Sequence, residues 1–213
     1  MRVQQVPRNS PTFYQEPSMR KKIGAAVVGL AVAGTTLLAT GSASSHGYTD
    51  SPISRQKLCA DRTVSNCGQI QWEPQSVEGP KGFPAAGPAD GRICSGGNGQ
   101  FAELDDPRGG SWPATRVGSG QSHTFRWQFT ARHRTTDFKY FITKPGWNPN
   151  QPLTRAALES QPFLTIPYGG QQPPATLSHS GSLPQRSGRH LILAVWTVHD
   201  TANAFYACSD VQF

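Results

Sequence analysis

Ser-His-Thr-Phe-Arg-Trp-Gln-Phe-Thr, residues Ser122 to Thr130, decides the fold class. Phe125, Trp127 and Phe129 fall on one parity and Thr124, Arg126, Gln128 and Thr130 on the other. That period of two belongs to a strand with one face in a core and one in water. Towards the C-terminus, Asp137 to Thr143 repeats the signal with Phe138, Tyr140 and Ile142. His190 to Val198 is a nearly continuous apolar run, which predicts a central strand buried on both faces. Ala204 to Phe213 alternates again, with Phe205, Ala207, Val211 and Phe213 on one parity. Between these strands, Leu153 to Glu159 is expected to form a short helix with Thr154 as N-cap, and Gly169 to Pro174 a turn or loop. The pattern predicts an all-β domain, a β-sandwich of immunoglobulin or fibronectin type III kind. Towards the N-terminus, Tyr48 to about Pro113 is dense in Gly, Pro, Asn and Asp and lacks long apolar periodicity. It reads as a long loop with short helical turns, and loops of that length usually carry function.

The chain has 213 residues with 22 Gly, 18 Pro and 36% hydrophobic residues, enough for one loop-rich globular domain. Its beginning reads differently. Arg20, Lys21 and Lys22 precede an apolar stretch from Ile23 to Leu38, and Ala43 and Ser45 place small side chains where a signal peptidase tests them. The expectation is a signal peptide over residues 1–45, with translation starting at Met19, and a single secreted domain over residues 46–213 that is free of the membrane once cleaved. The formal charge of +7 shrinks accordingly. Removing Arg2, Arg8, Arg20, Lys21, Lys22 and Glu16 from the 20 basic and 13 acidic residues leaves a net +3. With no basic run interleaved with aromatics, a nucleic-acid partner is not expected.

All four cysteines, Cys59, Cys67, Cys94 and Cys208, lie after the expected cut, and no C-x-x-C spacing suggests zinc or redox chemistry. Two structural disulfides are expected. Three pairings are possible, and the favoured one joins Cys59 to Cys67 across a short loop and Cys94 to Cys208, tying the long loop to the last strand.

Six histidines are present, His46, His123, His133, His179, His190 and His199. His46 differs from the rest because cleavage before it creates an α-amine beside its imidazole. Such an amine has a pKa of roughly 7.7 to 8.0 and a usable neutral fraction near neutral pH. Two nitrogens on one residue, with a third from elsewhere, suit copper, which accepts planar nitrogen geometry, better than tetrahedral structural zinc. His133 is the expected third donor, just past the strand ending at Thr130. His123, at the opposite end of that strand, is too far to share the ion.

Several motifs together carry a family resemblance. They are His-Gly-Tyr at His46, Gln-Trp-Glu-Pro-Gln-Ser-Val-Glu-Gly from Gln71, Gly-Phe-Pro-Ala-Ala-Gly-Pro-Ala-Asp-Gly from Gly82, Thr-Ala-Arg-His from Thr130, Tyr-Phe-Ile-Thr-Lys-Pro-Gly-Trp from Tyr140, and Asp-Thr-Ala-Asn-Ala-Phe-Tyr from Asp200. In this order and spacing they resemble the bacterial chitin-active lytic polysaccharide monooxygenases of auxiliary activity family 10, once classed as a chitin-binding module family. The resemblance spans His46 to Phe213.

The resemblance implies one copper ion per chain, held by the amine and Nδ1 of His46 and Nε2 of His133. Phe205 would close one axial side, Ala131 would crowd the other, and Glu78 would be the acid that orients the oxygen ligand. Trp72, Glu73, Pro74, Asp200 and Asn203 would form the flat surface that meets crystalline chitin, while Trp127 and Trp196 are expected in the core. The implied activity is oxidative cleavage by hydroxylation at C1, giving chitooligosaccharides that end in an aldonic acid. It uses an external electron donor with peroxide or dioxygen, and a monomer is expected. His199, directly before Asp200, departs from the pattern and is expected to face solvent. A non-catalytic chitin-binding protein would keep Trp72 without needing a terminal His46, and a copper carrier would not need the flat surface. A hydrolase would need two positioned carboxylates, and nothing in the sequence fixes the separation of Glu73 and Glu78.

Overall fold

The computed structural model describes residues 1, 12 and 45–213. The leader expected over residues 1–45, including the start at Met19, falls outside the described residues except at Met1, Thr12 and Ser45. Residues Gly41–Phe213 form one compact unit, distinct from Met1–Thr40.

Among the described residues nine strands build two sheets. The first has three antiparallel strands in the order β1 (His46–Ser51), β4 (Ser122–Ala131), β7 (Thr176–Ser182). The second runs β2 (Glu78–Pro80), β9 (Asn203–Gln212), β8 (Arg189–Val198), β5 (Thr135–Ile142), β6 (Leu164–Gln171), and β3 (Thr115–Arg116) adds a short parallel pairing to β9. This is the expected two-sheet β-sandwich of immunoglobulin or fibronectin type.

The second sheet is covered on both faces, which explains its apolar runs. Phe138, Tyr140, Ile142, Ile192, Ala194, Trp196, Phe205 and Ala207 pack with Phe125, Trp127 and Phe129 of β4 in the core between the sheets. Phe141, Leu191, Leu193, Val195, Tyr206 and Cys208 face the other way, onto Leu58, Ile70, Val77, Phe83, Ile93 and Phe101 of the long loop region. That region is therefore a packed layer rather than an excursion over the surface. Cys59–Cys67 and Cys94–Cys208 are both bonded, and the second pins the layer to β9. So does Arg55 of the helix α1 (Arg55–Ala60), whose Nε donates to Asp210 Oδ2 at 2.8 Å.

Three local expectations need correction. The segment from Tyr48 begins inside β1 and contains α1, because residues facing inward on β1 are the small Gly47 and Thr49, which leave no apolar signature. Gly169 to Gln171 belong to β6, where Gln171 pairs with Thr135. The helix expected over Leu153 to Glu159 is a single 3-10 turn, Arg155–Ala157, and the Thr154 side chain makes no cap hydrogen bond. Leu153 and Leu158 are both drawn into the loop-side core, and Leu158 is extended there, in an isolated antiparallel bridge with Thr143 that ends the helical turn.

One buried chain of polar groups gives the inter-sheet core a pH response. Trp127 Nε1 donates to the Tyr140 hydroxyl at 3.1 Å, and that hydroxyl lies 2.7 Å from His179 Nδ1, so its proton goes to the imidazole. His179 is held neutral, because burial pushes its pKa from 6.5 down to about 4. Above its ordinary value neither state carries the proton. Between pH 6.5 and about 4 only the unfolded chain takes it up, so stability falls with acidification across that window, by at most about 1.4 kcal/mol per pH unit from this group. His179→Gln, whose carbonyl can still accept from Tyr140, is expected to flatten the dependence between those limits in urea unfolding measured at a series of pH values.

Candidate copper centre and flat surface

The site is built where β1, the end of β4, the start of β5 and the start of β9 meet. His46 opens β1 directly across from Ala131, the last residue of β4, and a register shift follows between His46 and Gly47. His133 lies two residues beyond that pairing, in the connection to β5, so strand register brings both residues to the same end of β4. Gly47 is needed beside it: a Cβ there would meet Phe129 Cδ1 at 2.8 Å. The Gly47 amide donates to Gln75 O at 3.0 Å, which ties β1 to the loop that carries Trp72.

His133 is buried at 9% exposure, and its backbone carbonyl accepts from Thr135 Oγ1 at 3.0 Å. Thr135 Oγ1 accepts in turn from Trp196 Nε1 at 2.7 Å. Trp196 stacks on Phe205, with ring centroids 4.7 Å apart, and Phe205 is fully buried. Phe205 faces Glu78 in the β2–β9 pairing, and Asn203 Nδ2 donates to Glu78 Oε1 at 2.8 Å. The His133 backbone, the Phe205 ring and the Glu78 carboxylate are thus each held by a partner of stated geometry.

Asp200 has a role that sequence reasoning missed. Its Oδ1 stands 2.6 Å from His133 Nε2, with the ring nitrogen donating and the carboxylate accepting. Desolvation raises the Asp200 carboxyl, but the His133 hydrogen bond, its own backbone amide and the nearby charges of His133 and Arg134 together outweigh it, and the carboxyl lies below its usual range. No local pattern could have revealed a contact across 67 residues. It follows from topology, because the end of β8 lies beside the start of β5, where Thr135 pairs with Val198.

The remaining expected surface residues divide by exposure. Trp72 is 64% exposed and caps the 3-10 turn Gly68–Gln71, with the Arg62 guanidinium 5.6 Å from its ring centroid. Glu73 and Pro74 beside it and Asn203 are half-buried, whereas Asp200 is exposed. Trp127 and Trp196 are fully buried, as expected. His199 is exposed, and its Nδ1 lies 3.3 Å from Thr136 Oγ1. His123 sits at the far end of β4, with Nε2 3.5 Å from Ser51 Oγ, away from His46.

A metal fits this edge only in a particular way. Among the described residues no three His, Cys, Asp or Glu side chains converge as a ligand group. The two histidines would therefore need a third donor that is not such a side chain, and an α-amine on His46 would be one.

Residues 46–211 match the family model described as lytic polysaccharide mono-oxygenase, cellulose-degrading. A solved structure of an auxiliary activity family 10 lytic polysaccharide monooxygenase from Streptomyces lividans is 72% identical, with a TM-score of 0.77, covering 79% of this chain and all of that one. A Bacillus amyloliquefaciens CBM33 protein solved in complex with Cu(I) is 40% identical, with a TM-score of 0.70, over 78% of this chain and 99% of that one. GlcNAc-binding protein A of Shewanella oneidensis is 46% identical over 92% of this chain and 41% of its own length. The chain spans about half the length of the curated relatives it matches.

Proposed function

The chain belongs to the auxiliary activity family 10 lytic polysaccharide monooxygenases, a copper-dependent family that oxidises polysaccharides, and from that premise we propose that it cleaves chitin by hydroxylation at C1. What supports the reading is that His46 pairs with Ala131, two residues before His133, and that the neighbouring Gly47 amide bonds to Gln75 in the loop that carries the exposed Trp72. Chitin, rather than the cellulose of the family description, is favoured by similarity to a protein named for GlcNAc binding.

In this reading residues 1–45 are a secretion leader and the working enzyme is an extracellular monomer that starts at His46. Among the described residues no helix is long and apolar enough to cross a membrane. The amine and Nδ1 of His46 and Nε2 of His133 hold one copper ion. Bound there, the metal supplies the one-electron chemistry by which an external donor and peroxide or dioxygen oxidise the sugar.

The chain's own residues position and exclude. Phe205 has no lone pair to offer, and held by its stacking on Trp196 it would wall the metal without ligating it. Ala131, across from His46, would crowd the site from its own strand. Glu78, with one oxygen committed to Asn203, is aimed with its remaining lone pairs available for a hydrogen bond. Asp200 must release His133 Nε2 for that nitrogen to serve as ligand, and an exposed carboxylate can turn into water without a burial penalty. Released, it joins Trp72, Glu73, Pro74 and Asn203 in contact with the polysaccharide.

The test is mass spectrometry of products from chitin and cellulose treated in parallel, with and without copper and reductant. Aldonic-acid chitooligosaccharides that require both additions are expected, and equal release without them would reject the oxidative reading. Trp72→Ala is expected to weaken binding to β-chitin about tenfold, the loss of roughly 1.4 kcal/mol suited to one exposed stacking anchor. The melting temperature should stay within a degree or so of the parent, since the ring has little core to lose. Depletion of protein from chitin suspensions measures the first, and calorimetry the second.

A further inference from the structure

At the far end of the sandwich from His46 and His133, the segment after β5 and the loop after Pro88 enclose an open cleft of about 640 Å³. Ligand sites generally occupy about 300–1,000 Å³. β5 runs from Thr135 beside His133 to Ile142, and Lys144 of the cleft follows two residues later. Seven rises of about 3.3 Å place the cleft roughly 23 Å from the copper edge.

Its walls are preformed by the backbone. Lys144 N donates to Ala157 O at 2.8 Å, Trp147 N to Lys144 O at 3.2 Å, Gln151 N to Asn148 O at 3.2 Å and Gly91 N to Leu153 O at 2.8 Å. At the rim Asp90 Oδ1 accepts from Arg155 N at 3.0 Å and Arg155 Nη1 at 2.8 Å, and Lys144 Nζ donates to Ala156 O at 2.9 Å while keeping its charge. Beside Lys144 the cleft presents neutral groups: the exposed amides of Asn148, whose Oδ1 accepts from Asn150 N at 2.9 Å, and of Gln151, the Thr154 hydroxyl, Pro145 and the indole of Trp147. Trp147 packs in part on the loop-side core and lines the cleft with the remainder. Its Nε1 is buried and makes no hydrogen bond, a donor that a modest ring shift would offer to a bound hydroxyl.

An indole beside neutral amides suits a neutral pyranose, and the exposed Lys144 ammonium, with one donor given to Ala156 O, has others to offer its hydroxyls. A concave cleft cannot lie on a crystal face, so it takes a single chain. We propose that this cleft is a second carbohydrate site, separate from the flat surface, that binds a soluble neutral β-1,4-linked oligosaccharide against Trp147, Asn148 and Gln151. The choice of sugar backbone rests on the function proposed above; the cleft and its chemistry do not.

The test titrates the secreted protein, 15N-labelled and metal-free, with chitotriose and separately with cellotriose up to about 10 mM, well above the ~1 mM dissociation constant typical of a weak site. Saturable shifts of the Trp147 indole N–H and of the Gly146, Asn148 and Gln151 amides are expected with at least one sugar, and the sugar that gives the larger affinity identifies the class. The double variant Asn148→Asp, Gln151→Ala keeps the oxygen that accepts from Asn150 N, removes both side-chain amide donors, and is expected to weaken binding at least fivefold without a change in melting temperature. A Trp147 indole that neither sugar moves, shifts confined to Trp72, or unchanged affinity in the double variant would each overturn the proposal. Binding at Trp147 by a protein that fails to oxidise chitin would sustain the cleft and reject the catalytic reading.

Discussion

One extra residue ahead of His46 is expected to lower copper affinity by more than ~100-fold and to abolish oxidative turnover, while the protein stays folded. The number of donors sets this outcome. Two histidines reach the edge, and no third His, Cys, Asp or Glu joins them among the described residues. A peptide bond to His46 converts the third donor from an amine into an amide, whose nitrogen has no basic lone pair. Loss of an outer hydrogen-bond partner alone costs metal sites about 10–100-fold, so loss of a ligand must exceed that. The fold is indifferent to the change, since the Gly47–Gln75 hydrogen bond and the pairing of β1 with β4 do not use the His46 nitrogen as an amine.

The same argument sets a pH dependence. A terminal amine near pKa 7.7 to 8.0 must lose its proton to bind, so affinity should rise with pH until about 8 and flatten above. In the extended variant that slope should vanish along with the affinity. Isothermal titration with copper across pH 6 to 9, beside circular dichroism, measures both. Equal affinity in the processed and extended proteins would show that the amine is not a ligand and would remove the basis for placing the metal at this edge.

What the sequence revealed follows from which faces are buried. β4 and β5 carry large aromatic residues at alternate positions, and β8 is apolar on both faces because it is covered on both, so all three were plain. β7 was not. Its sequence, TLSHSGS, buries only His179 fully and Leu177 in part, and as the outer strand of its sheet it needs no more. β6 was hidden by Pro167, Gly169 and Gly170, which a strand tolerates when it pairs on one side only, as β6 does with β5.

The site divides along the same line. His46 could be singled out because cleavage gives it a chemistry no other residue has, and His133 because it follows a strand end. The aromatic and acidic neighbours, Phe205 and Glu78, came into view only through family resemblance. Their meeting depends on β2 pairing with β9 across more than a hundred residues, and three residues of Glu-Gly-Pro give no strand signal. The Asp200 contact with His133 has the same origin, in strands brought side by side rather than in any spacing along the chain.

Asp210→Ala is expected to destabilise the protein by about 3–5 kcal/mol, the range for removing one partner of a buried ion pair. Asp210 is 1% exposed and accepts from Arg55 Nε at 2.8 Å and Nη2 at 3.3 Å and from Arg189 Nη2 at 3.0 Å. Arg55 is 4% exposed, so its charge would remain in the core with Leu104 O, 2.9 Å from Nη1, and the face of Trp112 as its remaining partners. Arg189 is more exposed and can turn outward, so most of the cost falls on Arg55. The double variant Arg55→Leu, Asp210→Leu, which removes both buried charges, should therefore recover most of the loss even though it has lost the ion pair. Full additivity of the two single changes would show that the pair is not coupled. Asp210 stands five residues beyond Phe205 on β9, roughly 17 Å along an extended strand, so copper affinity of the folded Asp210→Ala protein should match the parent. Unfolding midpoints in guanidinium and copper titration of the same samples separate the two effects. A variant that lost affinity while still folded would mean that the loop layer, held to β9 by this pair and by Cys94–Cys208, transmits its position to the copper edge through Gln75 and Gly47.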